Sequence, residues 1–583
     1  MASDFRARPR RSRILILFAA LAVVAVGAAP VSAAEPPEEP MSFRTEEKPM
    51  LINLAGGQVT PIITVGDTFR TFMFEAIPDG IAVARKDSKT VTVLVNHETS
   101  TVPFPYANPP SASNLNDFTD SLVSSLRINR NSLRVERAKY AIDDGDNFHR
   151  LCSSYVARGK HGFDRTLLLT NEEGTDWVNR DGLQWPSNVG DDHARQIGVV
   201  VAHDLDKGLT RPIWGMGRHN HENSLALKGY GHPVVLSGDD TFTSAFRPQS
   251  QVYSYIAESG NAVWNDTGDL WAFVSDTAGY DDYYDFAPTD TTSINGHFVQ
   301  VPKEIATGRN PDGTDMMAAD VPAAYGGPYP LPQDVPHAWA NSAGTSTPID
   351  GPQWVLEHWS DLNGVFQFVR IEDMAFDKRP GMANVVYLVD SGRGARSTDP
   401  LNDNPYLSTN GRVWKMVLDP NSPTVVTSLS ILIEGDDTPV KTLTEVRQPD
   451  NIETTRKGLY LTEDPGSSQQ FTPGDVAGMN ARVWQYKFSG SALTPVLVVN
   501  QEADEGDTDK DASATPGNMG AWEASGIVDV SGIFGPGTFL IDVQAHTLFT
   551  QVAPGPDLVA PAGPDWTYKR EGGQLLLVKI PGG

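Results

Sequence analysis

Only one cysteine, Cys152, occurs among the 583 residues, so an intrachain disulfide is excluded and stability must come from a packed core, turns or bound ions. Positive charge is scarce as well. Lys and Arg number 46 against 73 Asp and Glu, a formal charge of −27, which repels nucleic acid and anionic membrane surfaces and removes both as expected partners. Beyond the N-terminus no stretch approaches the ~20 consecutive apolar residues that span a bilayer. Long helical periodicity is missing. So are a Gly-Lys-Ser/Thr phosphate loop, a Gly-x-Gly-x-x-Gly turn opening a helix, a His-Glu-x-x-His helix and a Gly-x-Ser-x-Gly nucleophile elbow, which excludes the common nucleotide-binding and hydrolase motifs.

What is present points to an all-β protein. Hydrophobic residues make up 39% and charged residues 20% of the chain, with 52 Gly and 43 Pro; that composition supports a large core of short strands joined by turns. β-rich runs recur: Thr90–Val95, Thr166–Thr170, Val234–Leu236, Val252–Ile256, Val385–Val389, Val413–Leu418, Gly458–Thr462 and Val483–Phe488. The string Gly411-Arg412-Val413-Trp414 is echoed by Ala481-Arg482-Val483-Trp484, which implies a repeated element. Aromatic-bearing strands repeating over hundreds of residues predict a β-propeller, ahead of several separate β domains. The expected layout is a signal peptide over residues 1–34 and a single propeller domain over 35–583. Polar or Pro-rich segments at 281–348 and 504–520 are read as insertions.

The first 34 residues hold an arginine-rich stretch from Arg6 to Arg13, an apolar run from Ile14 to Ala29 and a small-residue exit at Val31-Ser32-Ala33-Ala34. That is the pattern of a cleaved export signal. The pair Arg10-Arg11 loosely matches a twin-arginine signal, and general secretion is the other route. Cleavage near Ala33 or Ala34 would leave an exported, soluble chain, expected to act as a monomer.

Acidic residues sit repeatedly just after apolar strands, where a scaffold can aim them at a shared point: Asn96-His97-Glu98, Asn171-Glu172-Glu173, Gly238-Asp239-Asp240 and Glu463-Asp464. To these are added Arg218-His219-Asn220-His221-Glu222-Asn223, Arg370-Ile371-Glu372-Asp373, Pro449-Asp450-Asn451, and Glu523 with Asp542 and His546. Oxygen-rich surroundings favour calcium, and added thiolate or imidazole suits iron or another transition metal. Taken singly, such residues are more often turn formers or solvated charges, and Asp239, Asp240 and the Asp504–Asp511 run read that way at least as well. His219 and His221 alternate along an extended segment, so they are expected to face opposite sides. Cys152 reads first as a buried small hydrophobe. Among its chemical roles, a metal-held thiolate is favoured over a free nucleophile, which oxidants outside the cell would consume.

In order along the chain, Val95-Asn96-His97-Glu98, Arg150-Leu151-Cys152-Ser153-Ser154, Thr170-Asn171-Glu172-Glu173, Gly217-Arg218-His219-Asn220-His221-Glu222-Asn223, Phe368-Val369-Arg370-Ile371-Glu372-Asp373 and Gln448-Pro449-Asp450-Asn451-Ile452 resemble motifs of the PhoX-type alkaline phosphatase family. The resemblance spans roughly residues 90 to 465. It implies a six-bladed propeller whose axial site holds calcium with iron and hydrolyses phosphate monoesters, so that the substrate is a small phosphorylated molecule. It also implies Cys152 as a thiolate iron ligand, Glu173, Glu222 and Glu372 as acidic ligands bridging iron and calcium, Asp450 and Asp464 around calcium, and Arg370 as the phosphate contact. The family segment often reads Arg-Pro-Glu where this chain has Arg370-Ile371-Glu372, which marks a divergent branch. Two other readings compete with this one. A non-catalytic extracellular propeller stabilised by calcium would bind a ligand or partner; a phytase-like or lactonase-like propeller hydrolase would share Pro449-Asp450-Asn451.

Overall fold

In a computed structural model, the structure describes residues 42–98, 102–104, 121–143, 148–175, 177–179, 194–241, 249–331, 350–392, 410–435, 445–464, 480–504, 522–552 and 567–583. The expected export signal and most of the 504–520 segment lie outside these residues. Among the described residues no helix is long and apolar enough to cross a membrane.

Nine strands are enough to define the architecture: β1 (Leu51–Asn53), β2 (Val59–Thr64), β3 (Pro78–Lys86), β4 (Leu151–Ala157), β5 (His221–Ala226), β6 (Ile371–Phe376), β7 (Pro449–Thr454), β8 (Glu523–Asp529) and β9 (Thr567–Lys579). Strands β3 to β8 are each the first strand of an antiparallel meander. Each packs against the next, and β8 packs back against β3, so their chains run side by side around a common axis. This is the β-propeller expected from the repeated strands: radial packing buries the faces of every meander, and closure leaves only short edges.

The ring is closed by the start of the chain. β1 pairs antiparallel with Leu493–Val499, outermost in the β7 sheet, and β2 pairs with β9 in the β8 sheet. Strands some 500 residues apart thereby hold the circle shut through backbone hydrogen bonds. All eight β-rich runs coincide with strands, only Thr166 and Phe488 falling one residue outside, and their side chains fill the space between meanders. Val93 and Val95 are fully buried in one cluster, and Leu459 and Leu461 in another; each such side chain contributes roughly 1.5–3 kcal/mol relative to exposure.

The segment 281–348 is less of an insertion than its composition suggests. Its described part contains the strand Ile294–Gln300, which lies in the middle of a nine-stranded sheet. There it pairs with Ser422–Glu434, joining the outer edges of the β5 and β6 meanders. Tyr283 and Phe286 are buried against Trp414. Only Ile294, Gly296 and Phe298 face inward, and the polar residues between them disguise the period of two.

The echoed Arg-Val-Trp strings occupy equivalent third strands. Arg412 pairs with Glu434 at 2.6 Å and lies over the Tyr283 ring; Arg482 pairs with Glu463 at 3.1 Å and lies over Trp484. Glu463 also accepts from the backbone amides of Arg447 and Arg482 and from Trp484 Nε1. Removing one charge from such a buried, multiply bonded pair strands the other. Glu463→Gln is therefore expected to destabilise the protein by about 3 kcal/mol, read as a lower denaturant midpoint, and an unchanged midpoint would count against this account.

Candidate metal centre

Every inner strand carries the same irregularity. Where β3 to β8 pair with their second strands, two residues face one: 79 and 80, 152 and 153, 222 and 223, 372 and 373, 450 and 451, 525 and 526. A bulge of this kind turns a side chain out of the sheet pattern and re-aims it. The first residues of the bulges are Asp79, Cys152, Glu222, Glu372, Asp450 and Ser525. Five of the six are acids or the lone thiol, and repetition around the axis brings them together.

A second layer comes from Glu98, Glu173, Asp240, Ser391 and Asp464, each the residue directly after a second strand, and from Gln544, which holds the equivalent register position inside the longer strand Thr538–Val552. The acidic doublets divide their labour. In Glu172-Glu173 the first carboxylate accepts from the His149 and Gly198 amides, while Glu173 reaches Cys152. Glu463 and Asp390 play the same backbone role, Asp390 accepting from the amides of Val369, Arg370 and Gly392. The asparagines latch neighbouring meanders. Asn96 donates to the carbonyls of Cys152 and Ser153 at 2.6 and 2.8 Å, and Asn171 donates to the Glu222 carbonyl at 3.0 Å. Close approach is also written into Gly80: a Cβ there would lie 2.4 Å from the Cys152 carbonyl oxygen and the Ser154 nitrogen.

Three groups of ligand atoms each lie within 4.8 Å of one another: Asp79, Glu98 and Cys152; Cys152, Glu173 and Glu222; Glu222, Glu372 and Asp450. They share Cys152 and Glu222, so they form one continuous cluster. All seven residues are buried. Cys152 Sγ donates to Glu173 Oε2 at 2.9 Å, and Ser391 Oγ donates to Glu372 Oε1 at 2.6 Å.

Two guanidinium groups face these seven acidic groups. Arg150 lies 3.9 Å from Glu98 and 3.6 Å from Glu173. Arg370 is held by Asp240 through Nε and Nη2 at 2.7 and 2.8 Å, and contacts Glu372 at 2.8 Å. Two cations leave the cluster with a large excess of negative charge. Burial pushes the carboxyls of Asp79, Glu98 and Glu173 up to about 7. Burial, reinforced by mutual repulsion, raises Glu222 and Asp450 well above the carboxylate range and lifts the Cys152 thiol likewise. A buried constellation this acidic is stable with its groups ionised only beside cations. The donor set is mostly oxygen with one sulfur, which fits hard calcium alongside a transition metal.

Cys152, Glu173, Glu222, Glu372 and Asp450, distant in sequence, are therefore adjacent. Asp464 is not among these groups of ligand atoms; it lies beside Glu523, with which it shares a side-chain hydrogen bond. Asp239 and Asp240, whose reading as turn formers was at least as good as any other, are buried; Asp240 orients Arg370. The expectation for His219 and His221 is overturned. Their ring centroids are 3.4 Å apart, and His219 stacks on Tyr253. His219 precedes β5 in a non-extended segment after Gly217, whose φ is +105°, so strand alternation does not apply to it. Neither histidine belongs to the groups that can hold an ion.

Glu523 and Glu571 flank His546 at 3.3 and 3.4 Å. Although burial lowers its pKa, the hydrogen bonds to these carboxylates hold the imidazole well above its ordinary value. Asp542 is fully buried with both carboxylate oxygens unbonded among the described residues. Sequence reasoning missed Asp79 altogether and placed Glu98 among the acids that follow apolar strands without assigning it as a ligand. Asp79 follows no apolar strand; the signal that finds it is the bulge position at the start of an inner strand.

No protein-family model matches the chain, and no curated protein matches it. Among solved structures, the chain is similar to PhoX of Pseudomonas fluorescens in complex with vanadate, a transition state analogue, at 15% identity, covering 93% of this chain and 98% of that one with a TM-score of 0.52. Weaker likenesses, which carry no argument, are to an ancestral GH74 enzyme (12% identity, 86% and 57% of the two chains, TM-score 0.19) and to a putative 6-phosphogluconolactonase of Bacteroides fragilis (10% identity, 71% and 96%, TM-score 0.21). The chain thus shares its propeller fold with PhoX over nearly its whole length, and the cluster of bulge residues sits where the inner strands of that fold converge.

Proposed function

We propose that this chain is an exported, metal-dependent phosphatase of the PhoX type, hydrolysing phosphate monoesters at a site on the propeller axis that holds calcium and iron. The observation that carries this reading is the convergence of Cys152 and six carboxylates in a buried cluster that, among the described residues, two guanidinium groups contact. Cys152, Glu173 and Glu222 would hold iron; Glu222, Glu372 and Asp450, with Asp464 nearby, would hold calcium. When bound, the metals supply charge neutralisation for a phosphate dianion and activation of a water nucleophile. The N-terminal segment supports export.

The chain's own groups bind and orient. Asp240 grips Arg370 at two points and fixes the plane of its guanidinium, which suits paired contact with phosphate oxygens. Arg150, between Glu98 and Glu173, places a second cation beside the cluster. Burial of the cluster excludes bulk water, which strengthens each of these contacts. In a chain of charge −27, such focused positive groups are needed before an anionic ester can approach.

The test is turnover of an aryl phosphate by the purified, metal-analysed protein, with and without chelator. Hydrolysis should disappear on chelation and return when metal is restored. Cys152→Ser should lower iron content while calcium is retained. Absence of hydrolysis by protein verified to hold both metals would reject the enzymatic reading, and unchanged iron in the variant would reject the thiolate role.

A further inference from the structure

The opposite end of the same six strands has the opposite charge. A cavity of about 560 Å3 opens among the far ends of β3 to β8, a size ordinary for a small-molecule site. Going round the ring, the chain presents Lys86, then Arg158 and Lys160, then Lys228, then Lys378, and finally the acids Glu453 and Asp529. None of the seven clustered acidic residues lines it. Asn223 and Asp373, the second residues of two bulges, line its inner end and hydrogen-bond to each other, separating it from the acidic cluster.

The acids there are already engaged. Glu453 binds Lys378 at 2.7 Å and accepts from the amides of Thr454 and Asp529. Arg158 directs its guanidinium at the carbonyls of Val83 and Ala84, which leaves its charge uncompensated. Lys160 and Lys228 form no ion pair among the described residues, and Lys228 Nζ lies 3.8 Å over the Phe376 ring. Burial, then repulsion by Lys160 and Lys378, lowers the Lys228 ammonium to about 8. In a strongly acidic protein, this grouping of cations is costly unless something anionic joins it. The walls beneath are apolar, with Leu225, Phe376, Ile452 and Ile527 among the lining.

We propose that this cavity is a second ligand site, separate from the axial acidic cluster, that takes a small amphiphilic anion. Its anionic head lies against Lys160, Lys228 and Arg158, and its apolar or aromatic body fills the bore between the inner strands. The proposal does not depend on the phosphatase reading, because no clustered acid takes part.

The probe is 1-anilinonaphthalene-8-sulfonate, which has the required head and body and no phosphate ester. Fluorescence titration of the full-length protein should show saturable binding. The double variant Lys160→Glu/Lys228→Glu should weaken it at least tenfold, with an unchanged circular dichroism spectrum and unchanged aryl phosphate turnover. A control pair, Lys139→Glu/Lys207→Glu, makes the same charge change at exposed positions elsewhere and should leave the affinity within twofold. Lack of saturable binding by the unaltered protein, a loss smaller than tenfold, or an equal loss in the control pair would each overturn the proposal.

Discussion

Glu222→Gln is expected to lower kcat/KM on an aryl phosphate by about 10³-fold, the scale set by removing a principal electrostatic or metal-holding group from an active site. Glu222 is singled out because it belongs to two of the three groups of ligand atoms, one shared with Cys152 and Glu173 and the other with Glu372 and Asp450. It is the hinge of the cluster. The amide keeps the volume and one acceptor oxygen but loses the charge, so the bulge that carries it should persist. Its backbone carbonyl stays bonded to Asn171 and Ser153. Elemental analysis should therefore show reduced metal content in a protein with an unchanged circular dichroism spectrum. Turnover within threefold of the unaltered protein would sink the assignment of the cluster as the reaction centre.

Removing metal should reverse the usual response of stability to pH. Asp79, Glu98 and Glu173 have folded-state pKa values raised to about 7 by burial, above the ~4 of carboxyls in an unfolded chain. Between those limits the folded state binds more protons than the unfolded one, so stability falls as pH rises through the interval. Below about pH 4 these groups cost nothing; above about pH 7 the cost is complete. The chelated protein should lose on the order of 10 °C in its unfolding midpoint between pH 5 and pH 8, given the usual unfolding entropy per residue. With metal bound, the ions compensate the ionised carboxylates and this loss should vanish. Parallel pH profiles with and without chelator would contradict the view that cations complete the cluster.

Much of the site was legible because its second layer follows strands that announce themselves. Glu98, Glu173, Asp240 and Asp464 each come three or four residues after the last residue of an apolar run, and a run of buried β-branched or leucine residues is a strong local signal. The inner strands carry no such signal. Pro78-Asp79-Gly80, Leu151-Cys152-Ser153 and His221-Glu222-Asn223-Ser224 are largely polar although buried, since their side chains answer one another across the axis instead of packing into a hydrophobic layer. That is why Asp79 escaped notice, and why Ile294–Gln300, with a glycine among its inward-facing residues and polar ones between them, looked like part of an insertion.

The sequence by itself determined the β class, the alternation of turn and strand, the scarcity of basic charge and the chemical types available for a metal centre, because these depend on residue identity and short-range spacing. Which acid supports backbone and which reaches the axis was decided only by tertiary structure. A two-residue bulge at the head of each inner strand re-aims one side chain, and ring closure through β2 and β9 sets those side chains face to face. That placement is a property of strand register between meanders, which no local run of residues specifies.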